Sequence, residues 1–433
     1  MSTTDVVALP DTGPTDEPAR RGPPRRLVLV TAAALAAFAV TRVAPIVLTL
    51  QPSLYGAAIS NPAGDLARYA AWAGVIVGDG LVAYRDVDIE YPPGALPFVI
   101  APALVGGAQF SSRVFVGLMV VVDLVGFTAL LRLARRGGSP AGALLWLVLP
   151  PLLGVVLYGR LDLLPAVALL LALERLHARR WTVGGWWLGL GAAAKLVPGL
   201  FVPLALVAAG VRRWWVLAGA AAGGLVAMLP YAGEVGQIWH DVAGYHGTRG
   251  VHLESLWGSL LNVQRLVGGP VDLLFDRGAF GITGPAAATI VRWTTVVNVA
   301  IVLVAVVIAV VRWRARPEQA RAELPLAVTS SLALLLASAR VFSPQFVVWL
   351  LAAGSVLLAV TPAVIRWVAP ALALIVVLTV LGYPFGFDLL RQGEWWPALV
   401  LVGRNLAVLT VGIALTVHWV RRSWPERAAL SSR

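Results

Sequence analysis

Apolar runs of about 18 to 25 residues recur along this chain between short polar breaks, matching the roughly 20 residues a helix needs to cross a hydrocarbon core. Spans are predicted near 27–50, 113–134, 141–158, 163–177, 183–194, 197–211, 214–231, 286–312, 323–339, 345–360, 362–382 and 396–420. That makes an all-α polytopic membrane protein of about 12 helices, since only helices and closed barrels satisfy their backbones in lipid. Residues 1–26 and 421–433 read as cytoplasmic tails, the first of them disordered, flanking a transmembrane domain over 27–420. Its two large external loops are 51–92 and 232–285. The stretch 93–108 is apolar but short and rich in Pro and Gly, so it reads as re-entrant or interfacial. The pair 183–194 and 197–211 is short for a crossing, and the turn between them carries Lys195 and Pro198. Discontinuous helices of this kind accompany ligand sites, because the freed backbone groups need partners.

Charge fixes the expected orientation. Of 433 residues only 13% are charged, and mean hydropathy is +0.81, a balance no soluble domain tolerates. The formal charge of +12 suggests a nucleic-acid partner until its distribution is read. Arginines cluster in alternate breaks, at Arg25 and Arg26, Arg132 to Arg136, Arg175 to Arg180, Arg212 and Arg213, and Arg312 to Arg321. Those are positive-inside signals, which place both termini in the cytoplasm and require no polyanion. The chain has no cysteine, which removes disulfides and thiolate metal sites. Neither a phosphate-cradling Gly-x-x-x-x-Gly-Lys motif nor a His-Glu-x-x-His motif occurs, so neither a metal nor a cofactor is expected.

Candidate chemistry gathers on the opposite, external face. The first loop holds Asp65, Asp79, Asp86, Asp88 and Glu90, and acidic groups at a membrane face are costly unless used. Asp65, Arg68 and Tyr69 stand at i, i+3 and i+4, so one helical face would present acid, guanidinium and phenol. A carboxylate there can take a proton from a sugar hydroxyl, although an ordinary solvated helix with a local ion pair has the same spacing. Asp86, Asp88 and Glu90 alternate with apolar residues, which suits solvation or calcium binding as well as a substrate cavity. Arg68, Arg160, Lys195, Arg249 and Arg340 form a set of external cations suited to a phosphate at headgroup level, though each alone reads as a snorkelling or structural residue. His246 and His252 stand among them as possible donors.

In chain order these pieces are Asp65 to Tyr69, Tyr91-Pro92-Pro93, Gly159-Arg160-Leu161-Asp162, Gly189 to Lys195 and Pro198, Arg249 to Trp257, and Phe342-Ser343-Pro344-Gln345. The series resembles glycosyltransferase family 87, the polyprenyl-phosphate-mannose-dependent mannosyltransferases of the GT-C superfamily, over about residues 27–350. The resemblance implies a lipid-linked donor, an inverting transfer of a hexose such as mannose, and an envelope glycolipid or polysaccharide as acceptor. It implies catalysis on the outer face of a bacterial plasma membrane, with Asp65 as base. Lys195, Arg249, Arg340 and Arg68 are then expected at the donor phosphate. Tyr69, Asp88, Glu90, Tyr91, Asp162, His252, Glu254 and Gln345 are expected around the substrate cavity. The alternative is a flippase or transporter of a lipid-linked sugar, which would need ionisable residues along a transbilayer route; Arg42 and Asp123 are the mid-span charges the sequence offers.

Overall fold

The computed structural model describes residues 25–56, 59, 64–276 and 278–421; most of both predicted tails, Asn61 and the side chain of His246 lie outside the described residues. The chain enters through α1 (Arg25–Leu50), passes α2 (Gly64–Ala73) and α3 (Leu96–Val105), and returns through α4 (Ser112–Arg135). There follow α5 (Ala141–Leu152), its one-turn continuation α6 (Val155–Tyr158), α7 (Leu163–His177), α8 (Trp181–Ala194), α9 (Val202–Ala209) and α10 (Arg213–Met228). The second loop contains α11 (Val235–Thr248), strand β1 (Val251–His252), α12 (Leu256–Leu266), and strands β2 (Asp272–Asp276) and β3 (Ala279–Thr283). The chain ends through α13 (Pro285–Ala315), α14 (Pro317–Ala322), α15 (Leu324–Ser338), α16 (Val347–Val360), α17 (Ile365–Val380), α18 (Phe387–Gln392) and α19 (Trp395–Arg421).

Each of the twelve predicted spans falls on one of these helices or, for 141–158, on the pair α5 and α6. Among the described residues, six helical segments are long and apolar enough to cross a membrane by themselves. The remainder are shorter, and their burial explains it. α7 and α16 are sheathed by protein along nearly their whole length, whereas only 11% of the most apolar window of α13 is buried. A helix at the centre of the bundle need not match the bilayer thickness; one facing lipid must. The 93–108 segment forms a 3-10 turn and then the ten-residue α3, about 15 Å long and so too short to span. One feature was not foreseen from an all-helical pattern: β1, β3 and β2 make a small antiparallel sheet in the second loop.

Arg42 and Asp123, the two mid-span charges, meet. Arg42 Nε donates to Asp123 Oδ2 at 2.9 Å, and Trp146 Nε1 and Tyr158 OH each donate to the same carboxylate at 2.6 Å. The remaining guanidinium donors reach the carbonyls of Trp146 (2.9 Å) and Leu147 (2.8 Å). Those two carbonyls lie four residues before Pro150 and Pro151, which have no N–H to offer them. The arginine replaces the two helical donors that the prolines remove, so the pair is structural.

Glycines set the closest helix contact. A Cβ on Gly185 or Gly189 of α8 would lie 2.1 or 1.9 Å from the carbonyl oxygens of Val216 and Ala220 in α10; one on Gly219 or Gly223 would meet those of Thr182 and Trp186 at 2.0 and 2.3 Å. The register rises along both helices together, so α8 and α10 run parallel with their backbones touching, the small-residue packing available in membranes. Gly189→Val is therefore expected to lower stability by about 1–3 kcal/mol or more. Gly224→Ala is the control, because its Cβ would sit 4.0 Å from the Gly189 oxygen and in open space otherwise. Thermal unfolding of the detergent-purified variants distinguishes the two.

Candidate active site

The end of α8 builds the first wall of a cavity. The helix stops at Lys195, whose backbone is extended, ahead of Pro198. Gly94 packs so tightly on this end that a Cβ would lie 2.7 Å from the Ala193 carbonyl group, and the contact brings Tyr91 and Pro92 alongside Lys195. The ammonium sits over three rings, 4.7 Å from Phe346, 5.2 Å from Trp349 and 5.3 Å from Tyr91. It donates to Asp162 Oδ1 at 2.8 Å. Asp162 in turn accepts from Trp349 Nε1 through its backbone carbonyl at 3.1 Å, and its Oδ2 is buried with no hydrogen-bond partner. Burial raises the pKa of the Asp162 carboxyl and Lys195 opposes that shift.

Two residues upstream, Arg160 pairs with Asp65 and donates to Tyr383 OH at 3.2 Å. Asp65 lies in the first turn of α2, where a carboxylate is favoured by the helix dipole. Arg68 is one turn on but pairs with Glu90 at 2.8 Å rather than with Asp65. Tyr69 is fully buried; its hydroxyl lies 3.4 Å from that of Tyr91 and accepts from the Leu161 N–H at 3.4 Å. Burial pushes both phenols well up, so they stay protonated.

These groups converge on one cavity of about 510 Å3. Its polar end is lined by Asp65, Arg68, Glu90, Tyr91, Arg160, Lys195, Arg249 and Gln345, with Gly278 at the β2–β3 turn closing over Arg68. Its other end is mostly apolar, formed by Leu196, Val197 and Leu200 after α8, by Val299, Val302 and Leu303 of α13 beside Asn298, and by Leu332, Leu335 and Leu336 of α15. Val299 and Leu303 are more than half exposed, so the slot opens where α13 faces lipid.

Seven of the thirteen residues singled out from the sequence therefore share this lining. Tyr69, Asp162, His252 and Glu254 are buried just outside it, and Asp88 is exposed and does not line it. Arg340 is also outside the lining and donates to the Gly247 carbonyl at 3.1 Å. Burial pushes the His252 pKa down to about 3, so the ring is neutral and not a phosphate-binding cation. Arg160 was known from sequence only as one cation among several. Arg404 was not foreseen at all, yet it is fully buried in α19 with its guanidinium on the Glu254 carbonyl and 4.4 Å over the Phe342 ring. A polar pair, Arg404-Asn405, inside an apolar span was the available signal.

A profile of known families supplies the decisive comparison: that of glycosyltransferase family 87 matches residues 90–344. The chain belongs to glycosyltransferase family 87. It is thus a membrane glycosyltransferase. Among solved structures it is similar to that of ArnT from Cupriavidus metallidurans in the apo state, with 16% identity, a TM-score of 0.44, and coverage of 91% of this chain and 77% of that one. A search of curated proteins matched none. The family 87 match contains Glu90, Tyr91, Arg160, Asp162, Lys195, Arg249, His252, Glu254 and Arg340. Asp65, Arg68, Tyr69 and Asp88 precede it and Gln345 follows it by one residue; the match lies within the extent of about 27–350 expected from the motifs. Geometry, through Arg160 and Glu90, is what ties the α2 residues to the family 87 segment.

Glu254 gives this region a titration signature. It is 3% exposed, its Oε1 is buried with no hydrogen-bond partner, and burial pushes its pKa up to about 7 against the pull of Arg404 and Arg160. An unfolded glutamate ionises near pH 4.5, so between about pH 4.5 and 7 the folded protein holds the extra proton and loses stability as pH rises. Glu254→Gln is expected to flatten that decline, leaving other pH effects in place. Unfolding temperatures measured from pH 4.5 to 8 on both proteins check it; identical slopes would contradict the shift.

Proposed function

We propose that this family 87 enzyme moves a hexose, most simply mannose, from a polyprenyl-phosphate donor to a glycolipid or polysaccharide hydroxyl on the outer face of a bacterial plasma membrane. The observation that carries the reading is the two-ended cavity, cations and carboxylates at one end and a lipid-facing apolar slot at the other. A phosphate with a sugar on one side and an isoprenoid chain on the other needs both. The outer-face assignment rests on charge: the arginine-rich helix ends gather at the pole of the bundle away from the cavity, and such ends remain cytoplasmic.

In this reading the isoprenoid lies in the slot between α13 and α15. Lys195 and Arg249 meet the phosphate, the lysine as a point charge and the arginine as a fork. The acceptor oxygen attacks the anomeric carbon as its proton passes to Asp65. The bond from that carbon to the phosphate oxygen breaks, and the lipid phosphate leaves with the electron pair. Arg160, beside it in the cavity lining, holds Asp65 in place, and the phenols of Tyr69 and Tyr91 keep α2 registered on the Arg160–Asp162 turn. A carrier without chemistry is less well supported, because Arg42 and Asp123 neutralise each other in a closed network instead of lining a path.

Asp65→Asn keeps the shape and deletes the proton acceptor. General-base catalysis supplies roughly 100- to 10,000-fold, so turnover by purified enzyme on a polyprenyl-phosphate sugar is expected to fall by about that factor with donor binding retained. Asp88→Asn, on an exposed residue away from the cavity, is expected to keep near-normal turnover. A fully active Asp65→Asn enzyme would remove Asp65 from the base role.

A further inference from the structure

At the opposite pole of the bundle from the cavity, the starts of α8 and α10 lie side by side. Because these helices are parallel and in backbone contact, their N-terminal dipole ends add instead of cancelling. Neither start is capped by a side chain: Arg180 precedes α8 and Arg212 precedes α10 without a capping hydrogen bond. The first N–H groups of a helix have no acceptor within it. Between the two starts is an open groove of about 310 Å3 lined by Arg179, Arg180, Trp181, Thr182, Arg212 and Trp215.

Trp181 is the observation that points to a ligand. It lines this groove, it is 6% exposed, and its Nε1 is buried with no hydrogen-bond partner. A buried donor left without an acceptor is uncommon and costly. Around it, Arg179 shares the exposed Glu318 carboxylate with Arg321, while no described acid pairs with Arg180 or Arg212. The groove thus offers guanidiniums beside two helix starts, with a buried indole N–H beneath them that has no acceptor; at α10 the Arg213 N–H is already met by the Gly210 carbonyl. Trp214 and Trp215, 66% and 61% exposed, stand at its edge on α10, as tryptophans do at the level of lipid headgroups.

We infer that this groove binds the phosphodiester headgroup of an anionic phospholipid in the leaflet on the arginine-rich side. The site is separate from the catalytic cavity and does not depend on the reaction assigned there. The lipid phosphate would accept from Arg180, Arg212 and Trp181 Nε1, and its acyl chains would run beside the exposed apolar face of α10.

Native mass spectrometry of the detergent-purified protein, titrated with phosphatidylglycerol or phosphatidylcholine, tests this. Wild type should retain phosphatidylglycerol selectively. The Arg180→Gln, Arg212→Gln double variant should weaken that binding about a hundredfold, since each of the two charge-assisted contacts contributes about one factor of ten. Arg314→Gln with Arg316→Gln, on exposed arginines outside the groove, should leave it within about twofold, the scale of a change in diffuse charge. Trp181→Phe keeps the ring and deletes the N–H; it should also weaken binding, and it carries the test if the arginine variant does not fold. Equal losses from the two arginine pairs would reduce the site to general surface charge and overturn the proposal. Displacement of the lipid by millimolar glycerol phosphate would overturn it as well, by showing a site for a free phosphate.

Discussion

A charge inside this bundle persists only where an opposite charge, a carbonyl or a ring face meets it, and that constraint organises the molecule. Desolvating an unpaired ion costs several kcal/mol, so each buried cation ties together elements distant in sequence. Arg42 joins α1 to α4 and α5. Arg160 joins the start of α7 to α2 and Tyr383, and Lys195 joins the end of α8 to the same turn through Asp162. The pole that holds the cavity is therefore built from mutually neutralising pairs at helix ends. In the proposed reaction the donor phosphate meets Lys195 and Arg249, which already line the cavity.

The same constraint separates the two poles. Where pairs face a cavity that opens toward lipid, charge is proposed to serve binding and chemistry. Where arginines cluster at helix starts, as around Trp181, acids are fewer and the surface is left to the membrane. The first arrangement supports a donor with a phosphate and a long apolar tail, and the second supports an anionic headgroup.

Much of the helical architecture was legible because lipid enforces a length and a hydrophobicity that a single sequence displays. Helix length was less legible: α7 and α16 are short because protein surrounds them, and nothing local records that. The sheet escaped notice because β1 spans two residues and exists only by pairing with β3. Within the site, spacing located Asp65, Arg68 and Tyr69 on one helix but suggested the wrong partner. Arg68 turns to Glu90 and Asp65 to Arg160, 95 residues away. Long-range pairs of this kind, like Lys195 with Asp162, carry no periodic signal, and neither did Arg404.

The central claim is that one cavity holds the donor's phosphate at the Lys195 end and its isoprenoid between α13 and α15. Photo-crosslinking with a polyprenyl-phosphate sugar bearing a diazirine in its lipid, followed by peptide mapping, addresses it directly. The account predicts labels on the α13 and α15 faces around Val302, Leu303, Leu332 and Leu336, lost when unlabelled donor competes. Labels confined to other lipid-facing helices, such as α1 or α17, and indifferent to competing donor would contradict it.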